Sequence, residues 1–171
     1  EYMKVYGVLV GKKPIIFINN DSGYETAIEF KKNGINPLVL DVREDFESDA
    51  VKEAKNLNID IKFSYGVVNA QGYKKVNSAI IGKLNKEKSS YESLEKIDCD
   101  CICVSGNWTP TVHLASQSGN KLKFEEKVNA FVPNQSKQKE NTIGSANGSF
   151  TLKDSLKEGF SKGYDLSKKI T

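Results

Sequence analysis

Apolar positions along the chain alternate between short continuous runs and helical stripes. "IIFI" at 15–18 is wholly apolar, of strand length, and bounded by Pro14 and by Asn19 and Asn20, the pattern of a strand buried on both faces. From Ser22 to Asn33 the packing positions include Ala27, Ile28 and Phe30, and Gly34 supplies a C-terminal stop, so this stretch predicts a helix. "NPLVLD" repeats the strand signal at 37–41. Ser48 or Asp49 can then cap a helix that turns Val51 and Ala54 inward, and "IDIKF" gives a third strand. The order βαβαβ, with right-handed crossovers, makes the sheet parallel.

Beyond residue 63 the rhythm changes. "FSYGVVNAQGYKKVNSAIIGKLN" holds two strand-like runs joined at Gln71-Gly72 with no room for a helix, which predicts an antiparallel hairpin. "NKEKSSYESLEK" reads as its far turn and an edge strand, and "CDCICVSG" as a buried strand ending in a turn with Trp108 and Pro110. The stretch 112–142 is irregular, with short strands at "KLKF" and "AFVP". "NTIGSANGSFTLKDSLKEGFSKGYDLSKKI" then predicts a short strand, a turn of small residues and a long helix. Its Leu152, Leu156, Phe160 and Tyr164 recur every fourth residue, so one face is expected to pack. The fold class is therefore α/β: a Rossmann-like three-layer domain with a parallel sheet plus an antiparallel β-meander.

The formal charge of the 171-residue chain, +3, is weak, and its lysines are dispersed among acids as in "KFEEK". Without a basic block interleaved with aromatics, nucleic-acid binding is not expected. No apolar stretch reaches the roughly 20 residues of a membrane span, and "EYMKVYG" does not resemble a signal peptide, so no membrane partner and a cytoplasmic location are expected. The start on Glu1, with Met3 inside a helix-like run, reads as an excised piece. Sequons at Asn107, Asn134 and Asn147 read as chance in an Asn-rich chain. Cys99, Cys101 and Cys103 alternate, which in a strand sends all three to one face; lacking C-x-x-C spacing, they read as small buried hydrophobes in a reducing compartment, and no metal site is expected.

Candidate chemistry centres on the bend after the first strand. A dinucleotide fingerprint G-x-G-x-x-G laid on it puts Asn19, Asp21 and Tyr24 at the glycine positions, with Gly23 between them. Asn19 tolerates the turn, but Asp21 sets a carboxylate where a pyrophosphate should sit. Asp41 stands about 20 residues on, where a ribose-binding acid is expected, with Arg43 as a pairing partner. The bend therefore reads as keeping the fold and losing phosphate binding. Asp21 and Ser22 read as a helix cap, Trp108 and Pro110 as a rigid turn or an interface lining, and His113, lacking a catalytic partner, as structural.

The segments "INNDSGY", "LDVR", "VSGNWTPTVHLASQSGNKL", "AFVP" and "TIGSANGSFTLKDSLKEG", in this order, resemble the alpha subunit of heterotetrameric sarcosine oxidase, itself similar to flavoprotein disulfide reductases. The resemblance implies that residues 1–10 are a linker and 11–98 an inserted Rossmann-like domain. Residues 99–171 would be the returning part of a second, FAD/NAD(P)-binding-type domain. It also implies a preceding half and a following folate-binding part of the same chain, beta, gamma and delta partner subunits, and FAD and FMN held elsewhere in the complex. A bound NAD that does not shuttle hydride is implied on the split domain. Its contacts would be Gly144, Ser145, Ala146 and Asn147, where Gly144-Ser145 replaces the family's Gly-Asp, and Leu152 and Asp154 at the start of the last helix. No residue here is expected to be catalytic, and the piece alone is expected to be inactive. An active pyridine-nucleotide reductase using Asp41, the equivalent subunit of a proline or opine dehydrogenase, and a degenerate scaffold remain alternatives.

Overall fold

The structure, a computed structural model, describes residues 2–87, 89–106 and 108–170, with side chains to 168; the sequon residue Asn107 lies outside them. Two compact units are present, Glu1–Asn107 and Trp108–Thr171.

In the first unit a short helix α1 (Tyr2–Tyr6) precedes β1 (Pro14–Ile18), α2 (Ser22–Lys32), β2 (Leu38–Asp41), α3 (Asp49–Asn56) and β3 (Asp60–Phe63). An antiparallel meander follows, β4 (Tyr65–Gly72), β5 (Val76–Leu84) and β6 (Tyr91–Asp98), and then β7 (Cys101–Ser105). The sheet order β3-β2-β1-β7 is parallel throughout, and the meander runs β4-β5-β6.

Strand alternation builds the three layers. Ile16 and Ile18 pack with Tyr24, Phe30, Val39 and Val51 on the helical side, whereas Ile15 and Leu40 pack with Ala79, Ile81 and Cys99 on the meander side. Each such fully buried large side chain contributes about 1.5–3 kcal/mol. Gly23 lets α2 lie on β1: a Cβ there would sit 2.2 Å from Ile18 Cγ2. Ser48 caps α3, its Oγ accepting from Val51 N–H at 3.3 Å.

Several expectations change. The strand Cys101–Ser105, expected in the returning segment, pairs with β1 from Pro14↔Cys101 to Ile18↔Ser105, so the first unit continues past residue 98. Cys99 precedes that strand and packs on the meander side, whereas Cys103 packs on the helical side, so the three cysteines do not share one face. The hairpin turns at 73–75, with Gln71 and Gly72 still in β4.

The second unit holds α4 (His113–Gln117), the antiparallel pair β8 (Leu122–Glu125) and β9 (Ala130–Pro133), a 3₁₀ turn Gly144–Asn147 and α5 (Leu152–Ile170). Where a short strand was expected before the small-residue turn, none forms. Helix α4, which periodicity did not reveal, is only five residues long.

The apolar stripe of α5 is a further correction. Leu152, Leu156, Phe160 and Tyr164 are 76%, 65%, 79% and 54% exposed, because no described element covers that face.

Candidate functional site

In an open α/β sheet the ligand crevice lies outside the carboxyl ends of the strands, where the strand order reverses. Here that point is between β1 and β7. Asn20 spans it: its Nδ2 donates to Ser105 O and Ser105 Oγ, each at 3.4 Å, and also to Gly106 O. Its Oδ1 accepts from Ser22 Oγ at 2.5 Å. What remains is a cleft of about 160 Å³ lined by Phe17, Ile18, Asn19, Val42, Val104, Ser105 and Gly106, below the roughly 300–1,000 Å³ of small-molecule sites.

The acids of the bend are committed to one cation. Asp41 is fully buried. Its Oδ1 accepts from Arg43 N and Nε, both at 3.0 Å, and its Oδ2 from Arg43 Nη2 at 2.8 Å and the Tyr24 hydroxyl at 2.9 Å. Arg43 Nη1 reaches Asp21 Oδ1 at 2.8 Å, and the guanidinium lies 4.2 Å from the Phe46 ring centroid. Burial, followed by the Asp41 charge, pushes the Tyr24 hydroxyl far above the ordinary phenol range, so it remains a donor. Burial opposes the charge on Arg43, but the hydrogen bonds to Asp41 and Asp21 more than offset it and hold the guanidinium above its usual value. A ribose at Asp41 would have to displace both partners, leaving buried polar groups unpaired. Asp21, expected to cap α2, makes no side-chain cap bond and serves Arg43 instead.

In the second unit Gly144 has φ +68°, a left-handed conformation suited to glycine. Glu158, one element further on, turns its carboxylate onto this bend: Gly144 N–H donates to Oε2 at 2.8 Å and Asn147 Nδ2 donates to Oε1. An acid thus stands against Gly144 even though Ser145 replaces the acid at the next position. Thr151 caps α5, its Oγ1 accepting from Asp154 N–H at 3.1 Å while its hydroxyl donates to Asp154 Oδ2 at 2.6 Å. Ser145 and Leu152 are exposed beside these groups. The leading N–H groups of the 3₁₀ turn and of α5 have no intrahelical acceptor. Two carboxylates here suit the hydroxyls of a ribose, which donate, better than a pyrophosphate, which only accepts. Sequence position alone missed Glu158, because its role depends on α5 folding back so that a residue 14 positions on reaches Gly144.

Cys101 and Cys103 lie with Sγ atoms 3.7 Å apart. Burial, then the neighbouring Cys101, pushes the Cys103 thiol up to about 12, which fits an inert packing role. Among the described residues no group of His, Cys, Asp and Glu could hold a metal ion, and no helix is long and apolar enough to cross a membrane.

The sequence is 26% identical over 165 residues to sarcosine oxidase subunit alpha of Corynebacterium sp. strain P-1, covering 95% of this chain and 17% of that one. The chain is similar to sarcosine oxidase subunit alpha. The Rhizobium meliloti subunit of that name is 24% identical over 176 residues, covering 99% of this chain and 16% of its own. The chain thus spans about a sixth of the length of these relatives. No family model matches. Among solved structures, T. acidophilum thioredoxin reductase superposes with a TM-score of 0.60 at 18% identity, over 94% of this chain and 54% of that one. A HOCl-induced flavoprotein disulfide reductase from Escherichia coli gives 0.60 at 15%, over 87% and 34%. These likenesses establish the fold as that of FAD/NAD(P)-binding, thioredoxin reductase-like domains.

Proposed function

We propose that this chain is a nucleotide-holding and bracing portion of the alpha subunit of a sarcosine oxidase-type amine oxidoreductase, and that it performs no chemistry of its own. The likeness to sarcosine oxidase subunit alpha and to flavoprotein reductases supports an oxidoreductase nucleotide-binding domain. The observation that carries the reading is the closed crevice: Asn20 spans the switch point, and Asp41 is consumed by Tyr24 and Arg43. In this reading NAD is held by the second unit, through Gly144, Ser145, Ala146 and Asn147, with Leu152 and Asp154 at the head of α5. NAD there is a structural ligand. Asp154 and Glu158 accept from ribose hydroxyls, and exposed Ser145 lets the backbone approach. FAD, FMN and the beta, gamma and delta subunits belong to the rest of the complex. An active reductase using Asp41, the second reading, requires that acid to leave both Tyr24 and Arg43, and no observation favours it.

Calorimetric titration of the full-length protein with NAD tests the proposal. Ser145→Glu, which adds a charge on an exposed side chain, is expected to weaken binding at least ~10-fold, the equivalent of about 1.4 kcal/mol. Asp21→Ala is expected to leave affinity unchanged. Tighter binding by Asp21→Ala, with Ser145→Glu behaving as wild type, would place the nucleotide at the front bend instead.

A further inference from the structure

An open pocket lies at the opposite end of the parallel sheet from the switch-point cleft. It offers about 530 Å³, open to solvent, where the segment entering β1 meets the start of β5 and the end of β6. Its wall carries four lysines, Lys12, Lys13, Lys75 and Lys96, against two acids, Asp98 and Asp100. None of the four ammonium groups enters an ion pair among the described salt bridges.

The two acids differ in role. Asp100 is spent on the backbone: Oδ1 accepts from Lys12 N–H at 3.0 Å and Lys13 N–H at 2.7 Å, and Oδ2 from Lys12 N–H at 2.8 Å. Those bonds hold its carboxyl below the usual range. Gly11 permits the clamp, because a Cβ there would sit 2.7 Å from Asp100 Oδ1 and 2.5 Å from Cys101 Cβ. The backbone of Lys12 and Lys13 is thereby held in place, and both residues line the pocket together with Lys75 of the hairpin loop and Lys96 of β6. Four positive charges against two negative ones give the hollow a positive balance that favours an anion.

We infer that this cavity is a binding site for a compact polyanion carrying adjacent phosphate groups, read by Lys12, Lys13, Lys75 and Lys96. The volume matches a small-molecule site, and the lining residues include no aromatic ring on which a base could stack. Recognition therefore rests on charge. The site is independent of the dinucleotide reading, since it lies wholly in the first unit and uses none of the same residues.

Calorimetry of the full-length protein with sodium tripolyphosphate at low ionic strength tests it, with adenosine triphosphate as a second arm. A saturable site is expected that weakens as salt is raised. Lys12→Ala/Lys75→Ala/Lys96→Ala is expected to weaken it at least ~10-fold, and Lys52→Ala/Lys83→Ala/Lys123→Ala, which removes equal charge elsewhere, to leave it unchanged. Asp98→Asn is expected to tighten binding by removing an opposing charge. Comparable affinity for both ligands would show that the phosphates are what is read. The inference is overturned if tripolyphosphate gives no saturable heat, if only adenosine triphosphate binds, or if both lysine triples behave alike and Asp98→Asn is silent.

Discussion

A single side chain decides what the bend after β1 can do. Tyr24 stands where a fingerprint glycine would let a helix close on a strand, and its hydroxyl reaches instead into the buried Asp41. Tyr24→Phe keeps the packing and removes one donor to a buried carboxylate, so urea unfolding should show a loss of about 1–3 kcal/mol. Arg43→Ala strips the same acid of its countercharge and should cost more, about 3–5 kcal/mol. Equal, negligible effects would mean that Asp41 is solvated after all. The packing role lost at Tyr24 is taken by Gly23, and Gly23→Ala should lower stability by about 1–3 kcal/mol as α2 is forced off Ile18. Asp100 adds a pH dependence. Its carboxyl, held low first by the Lys12 N–H bond, stabilises the fold above its unfolded value and ceases to do so as pH falls through the lower folded value. The melting-temperature gap between wild type and Asp100→Asn should therefore be largest near neutrality and close in acid.

Elements were legible where a period ran long enough. The apolar runs of β1 and β2, the caps and stripes of α2 and α3 and the lack of room for a helix after β3 gave a parallel sheet with a meander, as found. What escaped depends on partners that sequence does not name. The run Cys101–Ser105 reads as a strand by itself, but only its pairing with β1 places it in the first unit. The five-residue α4 is too short to show a period. The four-residue spacing in α5 correctly predicted an apolar stripe but could not say what covers it. Because that face is exposed here, Leu156→Gln and Phe160→Gln should each change the stability of this chain by less than about 0.5 kcal/mol. A loss of several kcal/mol on denaturant unfolding would show that the stripe is packed in the folded chain. Likewise the lysine cavity draws its charge from three separated segments, so no basic block announced it.

At the scale of the whole chain, a reductase-like fold has kept its layers while its front crevice is filled by its own side chains. Asn20 bridges β1 to the end of β7, Arg43 binds both acids, and about 160 Å³ is left. On the bend before α5 Ser145 is exposed, and Glu158 accepts from Gly144 N–H behind it. The most direct measurement is an experimental structure of the full-length protein with NAD bound. The account predicts dinucleotide density against residues 144–147 and the head of α5, with Asp41 still bonded to Tyr24 and Arg43; phosphates cradled by the backbone of residues 19–24 would contradict it.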